Sequence, residues 1–454
     1  MDFYESNVQK AKENLTMSAV KVNVKDIVSL WEASRCGDNK NVESLIAKGC
    51  DVNAVDNEGR SALMLASLNG HNKIVDLLIN KGSNVSAVDN KRMNALMLAS
   101  LEGHNKTVDL LINKGSDVNA VKNNGMNALM WASLNGHDKI VDLLINKGSD
   151  VSAVNNNRMN ALMLASLEGH NKTVDLLINK GSDVSAVDNK RMNALMLASL
   201  EGHNKTVDLL INKGSDVNAV NNNGMNALMW ASLNGHDKIV DLLINKGSDV
   251  NAVDNNGMNA LMLASINGHN KTVDLLINKG SDVNAVDNEG RNALMLASIN
   301  GHNNKTVDLL INKGSDVNAV DNEGRNALIT QAEVLIGKEK AAELLIKSGA
   351  DINVIDTNGW NALMYAARSG AKDTVMLLVK SGCDVLAVNK EGDNALAVAS
   401  KYGYKDIVEC LSSLYNSNVV SIALHKGYGM TLGCIKRIRA STQRPVVSLT
   451  NSSE

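Results

Sequence analysis

A unit of 33 residues repeats along most of this chain, and that period constrains its folding more than any other feature. Segment 56–88 reads DNEGRSALMLASLNGHNKIVDLLINKGSNVSAV, and segment 89–121 reads DNKRMNALMLASLEGHNKTVDLLINKGSDVNAV. The unit restarts at Lys122, Asn155, Asp188, Asn221, Asp254, Asp287, Asp321, Asp356 and Asn389. The copy from Asp287 is one residue longer, marked by Asn303-Asn304, and the copy from Asp321 is two longer and the most divergent. An incomplete unit comes first, since Leu30, Ala33, Gly37, Val42, Leu45 and Gly49 stand 33 before Leu63, Ala66, Gly70, Val75, Leu78 and Gly82. The last copy stops after Leu414, so repeats cover residues 24–415. A unit this short cannot enclose a core of its own. It must bury its apolar side against the copies before and after it, which predicts a linear stack.

Each unit carries its own punctuation. Asn94, Asn127 or Ser61 stands just before Ala-Leu-Met, where a helix N-cap belongs. A short helix over 62–68 is expected to follow, broken by Asn69-Gly70-His71, with Gly70 suited to a left-handed cap. A second helix over 73–80 buries Val75, Leu78 and Ile79 at helical spacing and ends at Lys81-Gly82. The remainder, Val85 to Asn90, is extended and then turns. Helices this short are marginal alone and depend on their neighbours.

The pattern D-x-x-G-x-x-A-L-x-x-A-x-x-x-G-H-x-x-x-V-x-x-L-L-x-x-G-x-D-V-N-A resembles the ankyrin repeat over about nine-tenths of the chain. The resemblance implies an all-α ankyrin-repeat α-solenoid of stacked helix pairs with β-hairpin tips. It also implies protein binding through those tips and the concave face of the first helices. The chain departs from the family where Asn-Ala-Leu-Met, as at Asn127 to Met130, replaces the usual Thr-Pro-Leu-His. In three copies the turn glycine is an arginine: Arg92, Arg158 and Arg191, against Gly59, Gly125 and Gly257 elsewhere. If that position requires φ > 0, each arginine costs about 1–2 kcal/mol; otherwise the turn changes type.

A longer period lies above the first. Residues 89–121 and 188–220 are identical, and 122–154 differs from 221–253 only at 122/221 and 152/251. A three-unit block has been copied, which gives identical surfaces suited to multivalent binding or to setting length.

Composition removes several functional classes. Lys plus Arg is 46 against 49 Asp plus Glu, a net charge of −3, so neither a nucleic-acid footprint nor an anionic-membrane patch is expected. No run of eighteen apolar residues exists. The start, MDFYESNVQKAKENL, has no apolar core and carries acids early, so neither a secretory nor a mitochondrial leader is expected. Cys36, Cys50, Cys383, Cys410 and Cys434 are odd in number with no paired spacing, which argues against disulfide or zinc frameworks. The expected setting is the reducing cytoplasm, with the nucleus as the other option. Sequons such as Asn105-Lys106-Thr107 read as by-products of repetition.

Several ladders invite chemistry. His71, His104, His137, His170, His203, His236, His269 and His302 recur once per unit. Helices pack about 8–10 Å apart, too far for neighbouring imidazoles to share an ion, so these read as locally hydrogen-bonded. Asp76, Asp109, Asp142 and Asp175 sit three residues after a lysine and read as a solvated charged face. No phosphate loop or nucleophile–base set rises above the repetition; no enzyme and no cofactor is expected. Met64, Met97 and Met130 onward read as semi-buried, whereas the hairpin methionines, Met93, Met126, Met159, Met192, Met225 and Met258, read as exposed, adaptable contacts. In the family, the position two after the core leucine faces the concave groove. Here it is Leu65, Leu98, Trp131, Leu164, Leu197, Trp230, Leu263, Leu296 and Tyr365, an apolar strip expected to be exposed and to bind partners. The competing reading is that these side chains extend the core. Arg92, Arg158, Arg191, Met126 and Met225 complete the candidate binding set.

Residues 1–23 are expected to cap the array, and 416–454 form a basic tail expected to be flexible. Within that tail TLGCIKRIR faintly resembles the start of a suppressor-of-cytokine-signalling box, which Gln443-Arg444-Pro445 fits poorly. The expected function is a non-catalytic, monomeric scaffold or adaptor for other proteins. The alternatives are a ubiquitin-ligase substrate adaptor acting through the tail, or a spacer or spring.

Overall fold

The computed structural model describes residues 24–299, 304–333 and 339–414. The proposed cap 1–23, His302 and Asn303 of the longer copy, and the tail with Cys434 lie outside the described residues. Chain contacts divide the protein into two units. The first runs to Ala227 and takes in Asn245–Gly247; the second comprises Leu228–Ile244 and the chain from Ser248.

Among the described residues both units contain helices and turns and no extended strand. The first unit opens with the pair Val24–Cys36 and Asn39–Ala47, followed by Ala62–Leu68 and Asn72–Asn80, then Ala95–Leu101 and Asn105–Asn113. The same pairing continues to Ala194–Glu201 and Asn204–Asn212. The second unit repeats it from Ala260–Ile266 and Asn270–Asn278 to Ala395–Tyr402 and Lys405–Leu414. Within each unit, first helices pack on first helices of the next repeat and second helices on second helices. This is the all-α array of stacked helix pairs that the period predicts.

The first helices are capped and stopped as expected. Asn94 Oδ1 accepts from the Met97 amide at 2.8 Å, and Asn127 Oδ1 from that of Met130 at 2.9 Å. Gly70 ends its helix at φ 70°. In Ala62–Leu68 every residue but the last is buried. Such a helix has no solvent face and exists only between neighbours. The second helices are amphipathic: in Asn72–Asn80 Ile74, Val75 and Leu78 are buried. Burying each such aliphatic side chain is worth about 1.5–3 kcal/mol.

Polar groups fasten one repeat to the next. His104 Nε2 lies 2.9 Å from the Leu68 carbonyl, and His137, His170 and His203 reach Leu101, Leu134 and Leu167 at 2.9–3.0 Å. The histidine bond is therefore not local, as the sequence reading had it, but crosses to the preceding repeat and uses a helix-end carbonyl that would otherwise lack a partner. Asp76 likewise pairs across repeats, with Lys114 at 3.3 Å, and Asp142 pairs with Lys180 at 2.9 Å, where the lysine three residues earlier had been expected.

The turns are joined as well. Asn156 donates its amide N–H to Asn124 O at 2.9 Å and its Nδ2 to Asn123 O at 3.0 Å; Asn189 repeats both bonds onto Asn157 and Asn156. The asparagine of Asp-Val-Asn-Ala adds a clip. Asn119 Nδ2 donates to Gly148 O at 3.2 Å while its Oδ1 accepts from the Asp150 amide at 3.1 Å. Where serine takes that place the clip turns local: the Ser152 hydroxyl donates to Asp150 at 2.6 Å and holds that carboxyl below the usual carboxylate range.

Candidate functional site

The strip two positions after the core leucine is largely inside the protein. Leu65, Leu98, Leu164, Leu197, Leu263, Leu296 and Tyr365 are all buried, as are Met126 and Met225 just after the turns. This corrects the expectation of an exposed apolar groove lined by soft methionines. The reason is reach across repeats: Met126 and Met130 cluster with Leu164 of the following copy, and Met159 and Trp131 pack against that cluster. A seven-residue helix flanked closely on both sides has its groove-side residue covered by the neighbours' long side chains. Met93 and Met192 are buried too, whereas Met159 and Met258 keep partial exposure.

Trp131 and Trp230 are the members of the strip that stay half-exposed. Lys122 Nζ stands 5.5 Å from the centre of the Trp131 ring. The indole N–H of each is buried with no acceptor among the described residues. Leucine at this position leaves no donor unsatisfied, and an unmet buried donor costs about 1–3 kcal/mol, which offsets part of what the larger apolar area of the indole contributes.

In the second unit Tyr365 donates to Asp356 Oδ2 at 2.7 Å, and the Arg368 guanidinium lies over the rings of Tyr365 and Trp360 at 4.8 and 5.3 Å. Burial, and then the bond to Asp356, push the Tyr365 hydroxyl above the ordinary phenol range. Tyr365 thus closes a structural cluster.

An apolar ladder that the sequence reading missed does face solvent. Val55, Val88, Val121, Val154 and Val220 in the first unit, and Val253, Val286, Val320 and Ile355 in the second, are 41–56% exposed at the stems of the turns, while Val187 at the same place is half-buried. Its signal was available: one β-branched residue precedes every turn, in the extended stretch outside both helices.

The turns keep one architecture in the glycine and arginine copies. Asp56 Oδ1 accepts from the Glu58 and Arg60 amides at 2.9 Å each; Asp89 Oδ1 accepts from those of Lys91 and Met93 at 2.8 and 2.7 Å. Arg92, Arg158 and Arg191 are consequently forced to φ 60°, 61° and 58°. Arg158→Gly should raise stability by about 1 kcal/mol, measured by urea denaturation; a loss of stability would show that the turn is unstrained.

Asp287 and Asp356, both buried, act as turn acceptors, and His71, His104, His137, His170, His203 and His269 are engaged with carbonyls. Among the described residues no group of His, Cys, Asp or Glu could hold a metal ion, and no helix is long and apolar enough to cross a membrane. Helix pairs of fixed length, tied repeat to repeat and ending in turns, define a helical repeat protein whose surface is its turns and outer faces. The family model for ankyrin repeats (three copies) matches residues 30–122, 115–188, 163–254, 195–287, 233–321, 261–356 and 328–421. The chain belongs to the ankyrin repeat family. Ankyrin repeats are generally protein–protein interaction modules. No curated protein matches the chain.

Proposed function

We propose that this protein is a non-catalytic scaffold that binds other proteins through its turn edge and the groove side of its tryptophan repeats. The ladder of exposed valines at the turn stems carries this reading, because a solvent-facing β-branched side chain recurs at the same place in repeat after repeat within each unit, and apolar groups left exposed in series offer a contact surface. Variation between copies supports it. Repeats 89–121 and 122–154 differ at 89/122, 91/124, 92/125, 98/131, 102/135, 105/138, 107/140 and 119/152. Among these only Leu98 and the pair Thr107/Ile140 are buried; the other differences fall on exposed or half-exposed positions. The described cysteines, Cys36, Cys50, Cys383 and Cys410, are free, which suits a reducing cytoplasmic compartment. Burial pushes the Cys383 thiol up to about 12 and leaves it inert.

The test combines Val121→Ser, Val154→Ser, Trp131→Ala and Trp230→Ala in the full chain. Helical circular dichroism should be kept, while the set of proteins that cross-link to the wild-type chain in cells is lost. An unchanged cross-linked set in a folded variant would remove the turn edge and tryptophans from the binding surface.

A further inference from the structure

Three turns of the first unit retain an arginine where glycine would relieve the backbone. Arg92, Arg158 and Arg191 stand at φ 58–61°, where Gly59, Gly125 and Gly224 stand at 77–79°. Strain kept at a position with an easy remedy points to a use for the side chain. All three are exposed, and their guanidinium groups have no hydrogen-bond or ion-pair partner among the described residues; the same holds for the ammonium groups of Lys91 and Lys190 beside them.

Arginine at other turns behaves differently. Arg60, Arg291 and Arg325 follow the turn glycine, and each folds back onto its own turn. Their Nε atoms bond Asp56, Asp287 and Asp321 at 2.8–2.9 Å, and their Nη1 atoms reach Glu58, Glu289 and Glu323 at 2.7–3.2 Å. Those charges are neutralised within the turn. In the strained copies the position after the turn is methionine (Met93, Met159, Met192), and the arginine one place earlier projects unpaired.

The charged turns lie on one ridge. Backbone hydrogen bonds run from Asn90 to Glu58, joining the Arg92 turn to the one before it, and from Asn156 to Asn124, Asn189 to Asn157 and Asn222 to Lys190, joining the turns from Lys122 onward. Val88, Val121 and Val154, 45–51% exposed, stand at the stems of the first three turns of this series, and Val187, at the stem of the Arg191 turn, is half-buried. The ridge therefore interleaves free cations with apolar side chains.

We propose that the turn ridge of residues 88–191 binds an extended acidic polypeptide segment in which carboxylates alternate with apolar side chains. The proposal rests on the protein-binding reading above and names the chemistry of the partner. Successive turns are spaced about 10 Å apart, which is about three residues of extended chain at ~3.3 Å each; Gly125 stands at the turn between Arg92 and Arg158, so carboxylates about six residues apart meet Arg92 and Arg158, one about three further on meets Arg191, and the apolar residues between them lie on the valines. Single-stranded nucleic acid is disfavoured, because its binding relies on open aromatic platforms. On this ridge no such platform exists, since residues 88–93, 121–126, 154–159 and 187–192 include no aromatic side chain.

Fluorescence anisotropy of a labelled peptide, Glu-Glu-Val repeated four times, tests this with the full chain. Wild type should bind it at low ionic strength and release it progressively as salt rises. Combining Arg92→Asn, Arg158→Asn and Arg191→Asn keeps a residue that accepts the left-handed backbone and should weaken binding about tenfold. Arg158→Gly alone should weaken binding even as it relaxes its turn. Arg291→Asn with Arg325→Asn, which touches only paired arginines, should leave binding within about twofold. No binding by wild type, or equal binding by wild type and the triple variant, overturns the proposal. So does oligothymidylate of matching charge binding as tightly with the same loss in the triple variant. Unchanged peptide affinity in the triple variant, together with partner loss in the valine–tryptophan variant, would reject the acidic partner alone and leave the scaffold standing.

Discussion

Gly70→Ala should destabilise the protein by about 2–4 kcal/mol, among the largest costs available to one methyl group in this chain. Two effects combine. The backbone sits at φ 70°, where a side chain costs about 1–2 kcal/mol. In addition, the new Cβ would lie 2.6 Å from Nδ1 and 2.8 Å from Cγ of His104. That ring cannot swing away cheaply, because its Nε2 is held 2.9 Å from the Leu68 carbonyl. The two contributions separate by comparison. Gly82 has φ 93° with nothing within 4 Å of a built Cβ, so Gly82→Ala should show only the conformational part, about 1–2 kcal/mol. Urea denaturation of both variants checks the difference. Equal costs would mean that the histidine ring yields and that the inter-repeat bond is weak.

Leu96→Ala should cost about 2–5 kcal/mol, the range for a fully buried leucine whose cavity cannot collapse. Leu195→Ala should cost the same. The two leucines occupy identical repeats, and both are fully buried beside Met97 and Met196, each 1% exposed. In a quasi-one-dimensional array, stability is set by each repeat and its nearest neighbours. Variants three repeats apart should therefore add within about 0.5 kcal/mol when combined. A difference above about 1 kcal/mol between the single variants, outside the scatter for independent sites, would show that the copies are not equivalent in energy.

Much of the architecture was legible from one unit. The cap at Asn94, the stop at Gly70 and the helix over 62–68 follow from local chemistry, because an N-cap side chain and a left-handed glycine act within four residues. The second helix begins at Asn72, one residue before the expected start. The arginine turns were legible as a fork between strain and a change of turn type. The structure chose strain, because the Asx carboxylate or amide oxygen fixes the turn whichever residue follows.

The surface was less legible, and the methionines show why. Met126 follows a polar turn; Met130 and Trp131 of its own repeat cover part of it, but Leu164, 38 residues on in the next repeat, completes the cluster. The histidine and aspartate ladders misled in the same way, since their partners lie in the adjacent copy.

By itself the sequence determined the period, the family and the caps and stops of the first helices, because repetition is read directly from the residues and a cap acts within four of them. Tertiary structure alone decided which apolar side chains meet solvent: the leucine strip went inside and the valine stems came out. Burial is a property of two stacked surfaces, and a single unit, having no core of its own, does not carry that information.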